Sequence, residues 1–402
     1  MNQSPPNLPL SGIRVLDFTR MFAGPWSAEI LSDLGATVVK VEEPRIGDPT
    51  RRHRPLVGDE SSYFMAVNRG KKSLAIDART GEGREVLRTA IRAADVLVEN
   101  FRPGVMRRLG LEYETAKKIK PDLVYCSLSG FGATGPMRER ISFDIVNQAF
   151  AGLIDVTGHP GNRASRIGVP IGDLSGGLYM SIAVLAGLVN RDTTGLGCWI
   201  DLGLHDTLIT LLADVGQRHL LNAEPVSRVG NLHHAVAPYG CFPTRDGWIV
   251  LSAYAPADWD RLVEALGLAP DDVSAFGSLQ SRVTNQQALQ ELLEGRLRQD
   301  STEAWLALLR RHGIGCDEVL DIRQVLESTT LASRDLVYEA KGGDRDAFRL
   351  LASPIILDGT RLGTGSVAPR LGEHTVEVLT ELGYSPDQVR VLTDAGTVKV
   401  GP

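Results

Sequence analysis

One carboxylate stands apart by its setting. Asp173 sits in Gly168-Val169-Pro170-Ile171-Gly172-Asp173-Leu174-Ser175-Gly176-Gly177, after a Pro/Gly-kinked entry and before the apolar run Leu174 to Val189. That run carries no charge and predicts a helix buried nearly all round. An Asp just ahead of a helix has two uses. It caps free backbone N–H groups, or it serves as a nucleophile facing a cofactor. Gly176 and Gly177 weaken a helix, which implies that something must approach the backbone closely.

Other chemistries find less support. There is no G-x-S-x-G elbow, and no cysteine lies in a nucleophile motif. The four cysteines are scattered without a C-x-x-C, which argues against structural zinc and a disulfide framework. His233 and His234 are adjacent, and adjacent side chains in regular structure do not converge on one ion, so no metal site is expected. Arg79, Asn100, Arg102, Arg107 and Arg108 are candidates for phosphate contacts; the alternative is that they are ordinary solvated side chains.

These residues need a scaffold. Ile13 to Phe18 predicts a strand, Trp26 to Leu34 a helix with Pro25 in its first turn, and Thr37 to Val41 a second strand. The turn between them lacks the G-x-G-x-x-G of dinucleotide binders. Strands follow at Ser73–Asp77, Asp95–Glu99, Asp122–Ser127 and Trp199–Leu202, with helices at Gly81–Ala94 and Leu204–Leu221. Alternating strands and helices imply a parallel sheet covered on both faces, with ligands at the carboxyl ends of the strands. That rule singles out Thr19–Gly24, Asn100–Gly104 and Ser129–Gly135. Asn222 to Pro243 is irregular, Gly247–Ala253 is a strand, and amphipathic helices begin at Asp258. The expected organisation is a large domain, 1–224 and 326–402, with a smaller domain inserted at 225–325.

The 402 residues are 43% hydrophobic and carry a net charge of -6, which suits a soluble globular protein and gives no general argument for nucleic-acid binding. The short basic clusters Arg51-Arg52-His53-Arg54 and Lys71-Lys72 are read as solvated surface or as an anion contact. Met1 to Pro9 is polar and Pro-rich, so no signal peptide is expected. The apolar run after Asp173 reads as core rather than membrane span, and the expected compartment is the cytoplasm.

The chain resembles the family III CoA-transferases, which include formyl-CoA and carnitine CoA-transferases and the related α-methylacyl-CoA racemases. The matching blocks are LDFTRMFAGP (Leu16 to Pro25), LGATVVKVEEPRIGD (Leu34 to Asp48), NRGKKSLAIDART (Asn68 to Thr80), ADVLVENFRPGVMRRLG (Ala94 to Gly110), FDIVNQAFAG (Phe143 to Gly152), PIGDLSGG (Pro170 to Gly177) and LGEHTVEVLTELG (Leu371 to Gly383). The resemblance implies a Rossmann-like α/β large domain built from both termini, a smaller inserted α+β domain and an interlocked homodimer. It makes Asp173 the catalytic aspartate, carrying CoA as an aspartyl thioester formed through mixed anhydrides, with glycine N–H groups near it as oxyanion donors. It assigns CoA contacts to Arg20, Met21, Phe22 and Ala23, to Ile76 and Arg79 near the nucleotide, and to Asn100, Phe101, Arg102 and Arg108. It implies acyl-CoA and a carboxylic acid as substrates, with no tightly bound cofactor, no nucleic acid and no membrane. Two departures matter. Phe22 replaces the glutamine of formyl-CoA transferase, whose glycine-run loop is also missing. Phe143 stands where the racemases have their acid-base histidine, which favours transferase over racemase. The loop His233 to Gly240 is expected to line the acyl pocket, with two histidines suited to a second carboxylate such as that of succinate; the alternative is a solvated or backbone-bonded loop.

Overall fold

The computed structural model describes residues 8–223, 225–342, 347–363 and 365–401. The reading of Met1–Asn7 as a polar, non-signal start therefore lies outside the described residues. The described chain divides into two compact units. One comprises 8–153, 167–222 and 329–401, and the other 154–166 and 223–328.

The larger unit is built on a seven-stranded sheet. In chain order its elements are β1 (Arg14–Asp17), α1 (Ala23–Asp33), β2 (Thr37–Glu42), β3 (Lys72–Ile76), α2 (Gly81–Ala93), β4 (Val96–Glu99) and β5 (Val124–Ser129). They continue with α3 (Asp144–Phe150), α4 (Ile171–Thr194), β6 (Cys198–Gly203) and α5 (Leu204–Leu211). The spatial order is β3-β2-β1-β4-β5-β6, all parallel, and Val398–Lys399 adds an antiparallel strand beside β3. The chain reverses its direction of travel across the sheet between β1 and β4. In such sheets the crevice outside those two strand ends is where ligands bind.

Local sequence accounts for these elements. Val15 and Leu16, Val38 and Val39, and Val96 and Leu97 are neighbours that face opposite layers, as the twofold repeat of a strand requires. One layer packs Leu16, Leu74, Leu87, Ile91 and Leu97 under α2; the other packs Val15, Ala28, Leu31, Val98 and Val184 under α1 and α4. Helix α2 starts where the Thr80 hydroxyl accepts the Gly83 N–H, and its Val86, Leu87, Ala90 and Ile91 are buried. Such a cap is worth ~1 kcal/mol.

Several expectations are corrected. Helix α4 begins at Ile171, so Asp173 is its third residue rather than its cap, and Pro170 takes the cap position. The helix is buried on one face only: Leu178, Ile182 and Val189 are 49%, 60% and 67% exposed. An apolar run does not specify which of its sides a sheet will cover. By length and composition α4 could cross a membrane. Gly177 lets it cross α1, since a Cβ there would lie 2.6 Å from the Ala23 carbonyl and 2.7 Å from Trp26; a Cβ on Gly176 would lie 2.5 Å from Leu204. The close approach is thus helix packing. The expected helix Leu204–Leu221 breaks at Leu212 into α5 and Ala213–Asn222. Arg51 and Lys71 are not solvated: Arg51 forks onto Glu42 at 2.8 and 2.7 Å, and Lys71 is buried on Asp17 at 3.0 Å.

The second unit holds an antiparallel sheet with Trp248–Ser252 between Tyr239–Pro243 and Gly315–Glu318. The first of these edge strands arises within the stretch read as irregular. Helices Pro256–Leu266, Gln286–Leu297 and Thr302–Arg311 close over a core of Trp259, Leu262, Leu293, Trp305 and Leu309. Arg282, 1% exposed, ties this core together by donating to the carbonyls of Ala237, Phe276 and Tyr254. The unit also includes 154–166, which the sequence reading leaves with the large domain.

Candidate active site

The β1 and β4 loops are clasped together at the crevice. The Asn100 amide donates to the Arg20 carbonyl at 2.7 Å and accepts the Arg20 N–H at 2.8 Å. Met21 has φ of 67°, a left-handed conformation that is uncommon for a residue with a side chain and implies that its surroundings hold it. Buried charges do the holding. Lys40 donates to the Thr19 carbonyl at 2.9 Å and pairs with Asp48 at 3.0 Å. Lys71 donates to the Pro25 carbonyl at 2.9 Å and pairs with Asp17, which in turn accepts the Thr19 N–H at 2.8 Å. Burial pushes the Lys71 ammonium down to about 8, against the pull of Asp17. Each of these four buried charges is paired, which offsets the cost of holding it in a low-dielectric interior.

Asp173 faces a cavity of about 180 Å³ at this crevice. The free amides at the start of α4 are already taken. Asp144 accepts the Gly172 N–H at 2.7 Å and the Asp173 N–H at 3.4 Å, and its other oxygen accepts the Gln148 amide at 2.6 Å. Gln148 is fixed in turn by accepting the Ile167 N–H at 3.0 Å. Among the described residues, no group hydrogen-bonds the Asp173 carboxylate. Burial, and then the negative charge of Asp144, push its pKa up to about 7. Tyr63 also lines the cavity, its ring edge-on to Phe22 at 5.2 Å and to His53 at 5.3 Å. Its phenol is shifted up by burial and then by the charge of Asp173.

The expected contact residues divide. Met21, Phe22, Ala23, Asn100, Phe101 and Arg102 line the cavity with Asp173. Arg20 lies in the clasp, its guanidinium 4.6 Å from the Phe101 ring centre. Ile76 is 2% exposed and packs in the core at the end of β3. Arg79 is forked onto Asp77 at 2.8 and 2.7 Å and reaches Glu43 at 3.4 Å. Arg108 is exposed on the short helix Val105–Leu109, outside the cavity. Arg107 lines a neighbouring cavity of about 290 Å³ with Glu99, Tyr113 and Trp199. The glycines after Asp173 are not free donors, because Gly176 and Gly177 lie inside α4 with their N–H groups in its hydrogen-bond ladder.

Sequence reasoning missed Tyr63, Arg138, Arg140 and Asp144, all of which line the Asp173 cavity. Asp144 stands in a block already singled out, next to Phe143, and the two arginines follow the Gly-rich turn after β5. In the second unit His233 and His234 stack at 4.5 Å, and Tyr239 sits edge-on to His233 at 5.3 Å. Adjacent rings do share one side here, because the segment is irregular. His233 Nδ1 accepts the Ala235 N–H at 3.1 Å, and the His233 carbonyl accepts the Gln286 amide at 2.8 Å.

Known proteins share this chain's sequence and fold. A family model described as CoA-transferase family III matches residues 10–375. Human succinyl-CoA:glutarate CoA-transferase is 34% identical over 394 residues, 97% of this chain and 90% of that protein. Succinyl-CoA:mesaconate CoA-transferase of Haloarcula marismortui is 34% identical over 396 residues, 96% of this chain and 99% of that one. The crystal structure of a CAIB/BAIF family protein from Brucella suis superposes with a TM-score of 0.84 at 36% identity, covering 94% of this chain and 100% of that chain. The sheet, the crevice and these relatives agree: the chain belongs to CoA-transferase family III and is a CoA-transferase acting on acyl-CoA and carboxylic acid substrates.

Proposed function

We propose that the protein moves CoA from succinyl-CoA to a second carboxylic acid, with Asp173 as the covalent carrier. The ionised Asp173 carboxylate attacks the thioester carbonyl, and the C–S bond breaks to leave a mixed anhydride and CoA thiolate. The thiolate attacks the Asp173 carbonyl of the anhydride, giving an aspartyl-CoA thioester and free succinate. The acceptor carboxylate attacks that thioester, and the returning thiolate then takes the acceptor acyl group and frees Asp173. Each step exchanges one acyl bond for another. Thioester energy is therefore retained without ATP, and the route calls for no tightly bound cofactor.

The observation that carries this reading is the isolation of the Asp173 carboxylate. Asp144 occupies the α4 amides that would otherwise stabilise it, and no other group among the described residues bonds it. An unsolvated carboxylate is a stronger nucleophile than a hydrated one. Arg102, with Arg79 and Arg108 further out, supplies charge for CoA phosphates. Arg20, Met21, Phe22, Ala23, Asn100 and Phe101 shape the crevice for the pantetheine arm, and Ile76 supports the nucleotide end from the core. Phe143 is 59% exposed and lines the same cavity, where a racemase would need an imidazole. The exposed apolar face of α4 supports burial in an interlocked homodimer, and the four unpaired cysteines fit a cytoplasmic setting.

The test is chemical trapping. Incubation with succinyl-CoA followed by hydroxylamine or borohydride should modify Asp173 alone. An unmodified Asp173 peptide, together with an Asp173→Ala variant that still exchanges CoA, would refute the mechanism.

A further inference from the structure

The Asp173 cavity has a second side, distinct from the clasp, where Arg140 lines it and an aromatic cluster lies behind Arg140. Phe131 follows β5, Phe150 ends α3 and His205 is the second residue of α5. Their rings pack together, with Phe131 edge-on to Phe150 at 5.7 Å and His205 5.6 and 5.1 Å from the two. Arg140 lies on this cluster, its guanidinium 4.5 Å from the Phe150 ring centre and 5.6 Å from that of Phe131. It also lines the cavity that Asp173 faces.

Three features mark Arg140, and the last of them separates it from Arg102, which lines the cavity on the clasp side and also has no ion partner among the described residues. Among the described residues, no carboxylate or carbonyl pairs with its guanidinium. Arg138, by contrast, lies 3.3 Å from Glu139. A guanidinium lying on aromatic rings keeps its N–H edges free, and those edges match a carboxylate with two parallel hydrogen bonds. The same ring cluster also holds a polar atom without a partner, the buried Nδ1 of His205. Finally, this side lies apart from the clasp. Asp173 rides on α4, which meets α1 through Gly177 and the start of α5 through Gly176. The clasp belongs to the β1 and β4 ends, and the Arg140 side to the β5 and β6 ends of the same sheet. An acyl group with its thioester at Asp173 and CoA on the clasp side has its far end toward Arg140.

We propose that Arg140 is a specificity-determining residue that recognises the distal carboxylate of a short dicarboxylic acyl group. This rests on the covalent-carrier reading for the position of the thioester, and it adds the group that separates a diacid from a monoacid. Succinyl-CoA and butyryl-CoA differ by a carboxylate in place of a methyl group and share everything else.

The experiment measures equilibrium binding of both thioesters to Asp173→Asn protein, with and without Arg140→Gln or Arg140→Lys. Arg140→Gln should weaken succinyl-CoA on the order of 10- to 100-fold and leave butyryl-CoA unchanged, with Arg140→Lys intermediate because it keeps the charge but loses the fork. Arg102→Gln should weaken both thioesters alike. Equal weakening of both by Arg140→Gln would assign Arg140 to CoA or to the fold and overturn the proposal; so would unchanged succinyl-CoA binding. The covalent reading is judged separately, by whether Asp173→Asn alone abolishes CoA exchange. The binding ratio reports on Arg140 either way.

Discussion

The two walls of the Asp173 cavity are built on opposite plans. Beneath the β1 and β4 ends, Lys40, Lys71, Asp17 and Asp48 are buried and paired, and they hold the main chain of residues 19 to 25 by its carbonyls and N–H groups. Beside the β5 and β6 ends, Arg140 is exposed on rings that are themselves partly exposed, with no ion partner among the described residues. The first plan suits a part of the substrate that never changes, since CoA is common to donor and acceptor thioesters. The second suits the part that differs from one acid to the next. A buried charge network is costly to alter. An exposed arginine on a ring is cheap to alter, and specificity can move there without loss of the fold.

Four substitutions sharpen this contrast, beginning with the largest effect. Asp173→Ala should reduce CoA exchange by on the order of 10⁴-fold or more, because it removes the acyl carrier, as judged by steady-state rates. Lys71→Met leaves Asp17 buried and unpaired and should cost about 3–5 kcal/mol in urea unfolding. Arg140→Gln, on the exposed wall, should stay within about 0.5 kcal/mol of the parent in the same assay. Equal destabilisation by the two would erase the distinction between the walls. Asn100→Ala opens the clasp and frees the strained turn at Met21. It should raise KM for acyl-CoA about tenfold, the worth of one to two hydrogen bonds, with a smaller change in kcat.

A further effect is expected in pH dependence. The Asp173 carboxyl titrates at about 7, so attack requires its proton to leave and activity should rise with pH through that value. Asp144→Asn removes a negative charge that raises this pKa, and the acid limb of kcat/KM should move to lower pH. Burial is the larger cause of the shift, so the limb should remain above the ordinary Asp range. An acid limb that moves upward would mean that Asp144 acts through its hydrogen bonds to α4 rather than its charge.

Much of the fold could be read from local pattern. The parallel strands are short, largely apolar runs, and each of β1 to β6 lies within about two residues of its expected span. The break at Leu212 was not legible, because apolar periodicity continues across it. Nor was the half-exposed state of α4, since a helix's own residues do not say how many neighbours will cover it. The partners of Arg51 and Lys71 were not legible for the same reason: Glu42 lies at the end of the preceding strand and Asp17 on a strand 54 residues back, and each meets its cation only through the fold.

By itself the sequence determined that Asp173 heads an apolar helix, that strands and helices alternate around it, and that Thr19–Gly24, Asn100–Gly104 and Ser129–Gly135 follow the carboxyl ends of strands. These are matters of spacing, and spacing is local. Tertiary structure alone decided that Asp144 would take the amides of α4 and leave the Asp173 carboxylate without a hydrogen bond among the described residues, and that Phe131, Phe150 and His205 would meet beneath Arg140. The reason is physical. Hydrogen bonding, burial and ion pairing depend on which groups come within a few ångströms, and in a crossover sheet those groups are tens of residues apart along the chain.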